Sequence, residues 1–296
     1  MDSRFLLSFV TVVDSGSIAG AARRLDLPAT TVAQQMRALE ADIGGKLLKR
    51  VGRTVRPTVL GSRIIGQARE VLRGVRDLRS AASDTELPAG PLRLGATPTA
   101  LMGLAPPLLR RWMSSYPDIQ IYIEPGTSTV LLDRVMTGEL DVAILVHPAF
   151  ALHKTCEWRL LREEPLMLLA PQRMRVDDPL MTAAREPFIL YDRKVMAGKL
   201  ADDYLRKQGI KPKVRFELDG IEHIAQLVAE GFGVSVLPDW PLLGQADTRV
   251  RRWPLPAGAP SRAVGMAWLR SSPRSPLASA LHALVETADP AHFPIA

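Results

Sequence analysis

The segment from Lys46 to Arg63 carries six basic side chains and no acidic one. Guanidinium and ammonium groups at this density suit a polyanion, although a solvated basic face gives the same composition. Within it, Leu47 to Pro57 predicts a short hairpin that turns at Gly52-Arg53. An ordinary surface hairpin is the alternative, but it does not explain the missing acids. The arginines expected to reach phosphates or a minor groove are Arg50, Arg53 and Arg56.

A second polar surface is predicted on the last of three helices that precede this hairpin. Apolar spacing predicts helices over Leu6 to Val13, over Ile18 to Leu25, and from Ala29 to about Ile43. In the third helix one face is apolar, whereas the opposite face consists of Thr30, Ala33, Gln34, Arg37 and Ala41. A helix, a tight turn and a second helix with such an outer face place side chains in a DNA major groove. Base discrimination is expected mainly from Thr30, Thr31, Gln34 and Arg37.

A third group of polar residues follows the predicted strands of the C-terminal two thirds of the chain. Ligands bind beyond the carboxyl ends of strands in open α/β sheets, so hydroxyls and backbone amides there could hold a carboxylate. Ordinary helix capping by Thr and Ser is the alternative. Asp219 with Glu222 is interpreted first as a capping box and second as a partner for a ligand amine. The residues predicted to bind an effector are Thr97, Pro98, Thr99, Thr127, Ser128, His147, Arg193 and Asp219.

A heptad pattern lies between the two regions. The apolar positions are spaced four and three residues apart, which favours pairing with a partner helix over a broad core face. A helix lying on its own domain is the alternative. Two recognition helices on a symmetric dimer would read two half-sites of DNA. The predicted dimerisation residues are Ile64, Ala68, Val71, Val75, Leu78 and Ala82.

Composition limits the class of protein. A length of 296 residues suggests about two domains, and 47% hydrophobic with 23% charged residues is typical of a globular chain. The net charge of +7 is concentrated in residues 1–63, which hold ten basic and five acidic side chains. Cys156 is the only cysteine, so an intramolecular disulfide and a Cys-rich zinc site are excluded, and a reducing cytoplasm is expected. The short apolar run Phe5 to Val13 is interpreted as a helix rather than a signal peptide, and no membrane partner is expected.

The region after the predicted hinge at Thr85 to Pro91 alternates strands and helices. This order predicts a mainly parallel sheet covered by helices. The fold class is therefore α/β with an all-α N-terminal part. The predicted strands are Leu92 to Ala96, Ile119 to Glu124, Asp141 to Val146, Leu166 to Ala170, Phe188 to Tyr191, Val214 to Leu218, Val234 to Leu237 and Ala263 to Leu269, and a helix from Pro276 to Thr287 closes the chain. We find no catalytic constellation, phosphate loop or metal-ligand spacing, and expect no cofactor and no metal.

The first 61 residues resemble the winged helix-turn-helix of the LysR-type transcriptional regulators. The matching residues are Phe9, Val12, Gly16-Ser17, Ala21-Ala22, Leu25, Gln35, Leu39-Glu40, Gly44, Leu47, Arg50, Thr58 and Gly61. Two departures are Pro28-Ala29, where the family has a small polar pair, and Ala33, where it has a serine. The resemblance implies that these positions contact DNA. Because the residues differ there, we expect this chain to share the family's mode of DNA binding but not its preferred operator sequence. Ser17 and Ala33 are added on this ground to the predicted DNA-binding residues.

The rest of the chain is similar to the effector domain of the same family, two α/β subdomains related to periplasmic solute-binding proteins. Residues 138–144 (GELDVAI) and 231–238 (GFGVSVLP) carry this similarity. The implied domains are 1–61 for the winged helix-turn-helix, 62–90 for the linker helix and hinge, and 91–296 for the effector-binding domain. The effector domain divides into 91–162 plus 266–296, and 163–265.

The resemblance implies a cytoplasmic, sequence-specific transcriptional regulator that is not an enzyme. Its expected partners are double-stranded DNA, a small and anionic (carboxylate-bearing) effector, a second copy of itself as a dimer or dimer of dimers, and RNA polymerase. A solute-binding module without DNA function and an α/β enzyme with a regulatory N-terminus are the alternatives. Neither alternative explains the helical triad, the acid-free arginine hairpin and the heptad helix together.

Overall fold

A computed structural model describes residues 1–82, 87–240, 249–256 and 258–286. The chain divides into two compact units, Met1–Ala89 and Gly90–Ala296. Of the sequence predictions, Thr85 and Glu86 in the hinge and Thr287 in the last helix lie outside the described residues.

Three helices form the core of the first unit: α1 (Ser3–Ser15), α2 (Ile18–Leu25) and α3 (Ala29–Ile43). The Ser17 side chain accepts a hydrogen bond from the Gly20 amide at 3.0 Å, so α2 begins where its cap predicts. Gly44 ends α3 at φ 82°, a left-handed conformation that a residue with a Cβ adopts only with strain. Fully buried apolar side chains from all parts of the unit meet in this core, among them Phe9, Val12, Val32, Leu39 and Leu47.

The predicted hairpin is present as β1 (Leu48–Val51) and β2 (Thr54–Pro57), paired antiparallel. Its turn contains Gly52 at φ 60°. The Glu40 carboxylate fixes the hairpin to α3, because it accepts from the Leu47 amide at 2.9 Å and from Lys46 Nζ at 2.7 Å. Helix α4 (Val59–Ala81) follows, capped by the Thr58 hydroxyl.

The heptad seam on α4 has two different environments. Ala68 is buried in the core of the first unit, so for this residue the prediction of a partner contact is wrong and the alternative holds. Ile64 packs against that core but is only half-buried, so its partner contact stays a prediction. Farther along the helix Val71 is exposed, and Leu78 is exposed over 72% of its surface. The N-terminal part of α4 is thus anchored on its own unit, because it packs against α1 and β2.

The strands of the second unit are β3 (Leu92–Ala96), β4 (Ile121–Pro125), β5 (Val142–Val146), β6 (Cys156–Pro171), β7 (Pro187–Tyr191), β8 (Lys213–Leu218), β9 (Ser235–Pro238), β10 (Val250–Pro254) and β11 (Ser261–Leu269). Seven of them form a sheet in the order β10-β6-β11-β5-β3-β4, with β9 also paired to β6. The other two, β7 and β8, form a short parallel pair, and Phe188 of β7 makes a bridge with Val234, the residue before β9.

The helices of this unit cover the sheet. They are α5 (Pro98–Gly103), α6 (Ala105–Ser115), α7 (Ser128–Met136), α8 (Pro179–Arg185), α9 (Met196–Lys207), α10 (Ile221–Ala229) and α11 (Ser275–Glu286). The last helix, α11, packs against α6 and β11.

The prediction of a mainly parallel sheet is wrong. Strands β3, β4 and β5 are parallel, but β6 pairs antiparallel with β9, β10 and β11, and β11 pairs antiparallel with β5. The cause is β6, a 16-residue strand of which the sequence predicted only the last part. The first part of β6 pairs with β11, and its last part pairs with β9 and β10. Strands β6 and β11 therefore connect the two subdomains.

A buried ion pair closes the end of the sheet where the parallel strands begin. Arg274 Nε donates to Asp141 Oδ1 at 2.8 Å, and Asp141 Oδ2 accepts from the Arg93 amide at 2.9 Å. Arg274 Nη2 also donates to the Pro91 carbonyl at 2.7 Å. Asp141 therefore holds the start of β3, the start of β5 and the segment before α11 in one place.

Candidate nucleic-acid interface and small-molecule site

The outer face of α3 presents the polar side chains that the sequence predicted. Thr30, Gln34 and Arg37 are exposed, while Thr31 and Ala33 are half-buried. The opposite face is anchored by Val32, Met36 and Leu39 in the core. A buried helix face fixes the orientation of the exposed one, so these side chains stand on a rigid support.

Gln35, which the sequence matched to the family, has a role different from that of Gln34. Its Oε1 accepts a hydrogen bond from the hydroxyl of Ser8, a buried residue on α1. Gln35 therefore holds α3 against α1 and is directed away from the exposed face.

The hairpin concentrates positive charge at a solvent-exposed edge. Arg50, Arg53 and Arg56 are exposed, and Lys49 lies directly across the strands from Arg56. Like charges directly opposite one another on a β-ladder destabilise it, and a bound polyanion removes that repulsion. The Arg50 Nε–H donates to the Gly52 carbonyl at 3.1 Å, which orders the side chain at the turn. Ser17, also predicted to contact DNA, is occupied by its capping bond to Gly20.

In the second unit, three predicted segments meet at the carboxyl ends of the parallel strands. Ala96 lies beside Ile144 on one side and Pro125 on the other, which brings together Thr97, Gly126 to Ser128, and His147. The alternative of ordinary capping does not describe these hydroxyls. Thr97 and Thr127 stand at helix N-cap positions, yet neither side chain makes the capping hydrogen bond. Ser128 Oγ instead accepts from the Val146 amide at 3.1 Å, which ties α7 to β5.

A buried cluster of charged residues lies next to this edge, on β6 and β11. Arg162 donates to Glu164 Oε1 from Nε at 3.0 Å and from Nη2 at 2.6 Å, and Arg262 Nε binds Glu164 Oε2. The exposed fractions of Arg162, Glu164 and Arg262 are 5%, 1% and 4%. Two guanidinium groups and one carboxylate leave one positive charge in excess, and a buried uncompensated charge is unfavourable. The cluster therefore favours a nearby anion.

Two threonines connect the strand ends with this cluster. Arg262 Nη2 lies 3.4 Å from Thr99 Oγ1, and the Thr99 carbonyl accepts from Trp240 Nε1 at 3.1 Å. Thr97 is only 7% exposed, and its hydroxyl has no hydrogen-bond partner among the described residues. Buried hydroxyls are normally paired, so the Thr97 hydroxyl, two residues from the Thr99 that Arg262 contacts, still has a hydrogen bond to make.

Tyr191, at the end of β7, lies within electrostatic reach of the same cluster. Burial raises the pKa of Tyr191 to about 12; Arg262 opposes this rise, and Asp219, Glu222 and Glu164 add to it. Tyr191 therefore remains a neutral phenol near neutral pH.

The other residues predicted to bind an effector have different roles in the structure. Arg193 is exposed and pairs with Glu217 at 3.1 Å, so the buried positive charge comes from Arg162 and Arg262 instead. The interpretation of Asp219 and Glu222 as a capping box is wrong: Gly220 is the N-cap of α10, and Asp219 Oδ1 accepts from the Gly220 amide at 2.7 Å. Pro98 is the exposed first residue of α5.

His147 and Cys156 are both packed into the second unit. His147 Nδ1 lies 2.7 Å from the Pro148 carbonyl, and its ring packs edge-on against Trp158. Cys156 is buried, and burial raises the pKa of its thiol, which keeps it in the less reactive protonated form. Among the described residues no three His, Cys, Asp or Glu side chains cluster to hold a metal ion.

Sequence analysis missed Arg162, Glu164 and Arg262. A signal was present in the strand that contains the first two: Arg162 and Glu164 alternate with Leu166 and Leu168 on the buried side of β6. Charged residues at two such positions indicate a buried ionic site. Arg262 gave no comparable signal, because its partner Glu164 is 98 residues away in the sequence.

A winged helix-turn-helix followed by a two-part α/β domain with a polar site defines a DNA-binding regulator with a small-molecule domain. The model described as "Bacterial regulatory helix-turn-helix protein, lysR family" matches residues 3–62, and that described as "LysR substrate binding domain" matches residues 85–289. The chain belongs to the LysR family of transcriptional regulators. The matched domains and relatives are those of regulators, not of enzymes.

Relatives and solved structures agree with this assignment. The chain is 31% identical over 247 residues to the HTH-type transcriptional regulator YnfL of Escherichia coli (strain K12), covering 80% of this chain and 82% of that protein. A structure of full-length OxyR from Pseudomonas aeruginosa aligns with a TM-score of 0.68 at 26% identity, over 98% of this chain and 96% of the other. CbnR in complex with its target DNA has the same fold, with a TM-score of 0.65 at 21% identity over 97% and 99%. Over its described residues, the chain has no helix long and apolar enough to span a membrane.

Proposed function

We propose that this regulator responds to a small effector that carries a carboxylate. The observation that carries the proposal is the positive excess of the buried cluster Arg162, Glu164 and Arg262, which contacts Thr99 two residues from the unpaired hydroxyl of Thr97. A carboxylate there accepts hydrogen bonds from the Thr97 and Thr99 hydroxyls, which gives the Thr97 hydroxyl a partner. Its negative charge also neutralises the excess positive charge of the cluster. Thr127 and His147, at the same edge, are the proposed neighbours of the rest of the ligand.

On the DNA side, we propose a division of labour between α3 and the hairpin. Thr30, Thr31, Gln34 and Arg37 are the proposed readers of base edges in a major groove, with Ala33 beside them. Arg50, Arg53 and Arg56 are the proposed phosphate contacts, which supply affinity without sequence preference. Such a protein acts where the DNA is, in the cytoplasm, with RNA polymerase as the expected partner at a promoter.

The test of this function is fluorescence anisotropy of the full-length protein on DNA from upstream of its own gene and on scrambled DNA. Preferential binding that weakens steeply with salt is expected. A panel of carboxylates is then added, and at least one is expected to change the affinity, the DNA bend or the footprint. Absence of binding to either DNA at low salt contradicts the regulator. Unchanged affinity, bend and footprint with a carboxylate that demonstrably binds contradict the coupling.

We propose that the C-terminal half of α4 pairs with α4 of a second copy through Val71, Val75, Leu78 and Ala82. We expect Leu78→Glu to raise the dissociation constant of the dimer at least about a hundredfold, because each copy loses the burial of a leucine, worth ~1.5–3 kcal/mol. Sedimentation equilibrium measures this constant. Gly66→Glu adds the same charge on the helix face opposite the seam, where an added side chain meets nothing within 4 Å, and is the control expected to leave the dimer intact. An unchanged dimer with Leu78→Glu contradicts the seam.

A further inference from the structure

The side chain of Trp240 joins two parts of the second unit. It is 2% exposed and packs in a core formed by residues between 169 and 250, among them Ile221 and Ile224. Its Nε1 nevertheless donates to a group outside that core, the Thr99 carbonyl of α5, at 3.1 Å. Helix α5 follows β3, whereas Trp240 follows β9, which pairs with the last part of β6. Trp240 therefore ties α5 to the other part of the sheet.

Gly103 makes room for this contact. It lies one helical turn after Thr99 on α5, so the two residues share a face of the helix. A Cβ on Gly103 would lie 3.0 Å from Trp240 Nε1 and 3.8 Å from Arg162 Nη2. The first distance is shorter than an ordinary van der Waals contact. A methyl group at this position therefore displaces the indole from the Thr99 carbonyl, or α5 from the buried cluster.

The segment that Trp240 holds carries the threonines of the proposed effector site. Thr99 is held at two atoms, since Trp240 binds its carbonyl and Arg262 Nη2 lies 3.4 Å from its hydroxyl. Thr97, with its buried and unpaired hydroxyl, is two residues earlier in the chain. The contact of Trp240 with α5 thus determines where both hydroxyls lie relative to the cluster.

We propose that Trp240 and Gly103 are positioning residues of the effector site, which keep the Thr97 and Thr99 hydroxyls where a carboxylate can bind both. The inference rests on the proposed function, because it concerns the same site. A contact that orders a binding group in advance raises affinity, since the group is not ordered at the expense of binding. The linkage is reciprocal: a carboxylate on the two threonines stabilises the contact between α5 and Trp240.

The experiment measures carboxylate binding to the full-length protein by isothermal titration calorimetry. The probes are acetate, lactate, succinate and phenylacetate, and at least one is expected to bind. Trp240→Phe removes the indole N–H, and Gly103→Ala places a methyl group against the indole. Each variant is expected to bind the tightest of these probes about tenfold more weakly than the wild type. Trp268→Phe replaces a tryptophan of β11 that is 6% exposed, and this matched control is expected to leave probe binding unchanged.

A double variant separates positioning from a general loss of structure. Phenylalanine lacks the Nε1 atom that the added methyl group meets, so Gly103→Ala is expected to cause no further loss of affinity in the Trp240→Phe protein. Two independent structural defects multiply their effects instead. Thermal unfolding without a probe establishes that each variant is folded. Gly103→Ala carries the test if Trp240→Phe does not fold, because alanine favours a helix more than glycine does.

The outcomes separate this inference from the proposed function. A probe that binds the wild type, Gly103→Ala and Trp240→Phe equally well overturns the positioning role and leaves the carboxylate effector standing. Losses that multiply in the double variant, or an equal loss in Trp268→Phe, also overturn the positioning role. Failure of every probe to bind the wild type overturns the proposed effector and the positioning role together, while the DNA experiment still tests the regulator.

Discussion

Replacing Arg50, Arg53 and Arg56 together with alanine is expected to lower DNA affinity at least about a hundredfold near 0.1 M salt. Each arginine on a phosphate releases condensed counterions, so the slope of log K against log salt becomes shallower by about 0.9 for each arginine–phosphate pair that the substitutions remove. A dimer loses both sets of arginines, and the slope should therefore fall by about 5. Anisotropy across a salt titration measures both quantities.

The control for this triple variant removes the same charge elsewhere. Arg173, Arg185 and Lys207 are exposed in the second unit, and their replacement by alanine is expected to leave the salt slope unchanged. The ratio of affinities for the two DNAs should stay nearly constant in the hairpin variant, because phosphates carry no direct sequence information. An equal loss in both triple variants contradicts a specific role for the hairpin and indicates a general effect of net charge.

The DNA-binding unit was predictable because its signals are local. Ser17 caps α2, Gly44 ends α3, and Gly52 turns the hairpin, each acting within a few residues of its own position. The apolar spacing of α3 also determined which face is exposed, and with it the positions of Thr30, Gln34 and Arg37. Ala68 is the exception. A heptad position indicates only that a side chain is buried, and the Ala68 side chain is buried by residues of its own unit.

The proposed effector site was predictable only at the ends of the parallel strands, where Thr97, Ser128 and His147 fall by topology alone. The rest depends on contacts distant in the chain. Arg262 reaches Glu164 over 98 residues and Thr99 over 163. The first of these pairs depends on the antiparallel alignment of β6 with β11, which the alternation of strands and helices did not reveal. Arg193 gave a plausible positive charge in the sequence, but it is exposed and pairs with the exposed Glu217 at the surface.

Glu164→Gln is expected to destabilise the second unit by ~3–5 kcal/mol, because it leaves two buried guanidinium groups without their shared carboxylate. Denaturant unfolding of the full-length chain, followed by tryptophan fluorescence, measures the loss. Asp141→Asn is the matched comparison: it breaks the buried pair with Arg274 at the opposite end of the parallel strands and is expected to cost a similar amount.

The two variants should differ in their response to added anions. In Glu164→Gln the cluster gains a full positive charge next to Thr97 and Thr99, so acetate at tens of millimolar is expected to restore part of the lost stability. Acetate is expected to stabilise the Asp141→Asn protein less, because Arg274 still donates to the Pro91 carbonyl and the Arg93 amide still faces the side chain of residue 141. Equal stabilisation of both variants by acetate contradicts an anion position at the cluster and makes Arg162, Glu164 and Arg262 a purely structural tie between β6 and β11. Selective rescue of Glu164→Gln instead identifies the cluster as the place where an anionic group of the effector is neutralised.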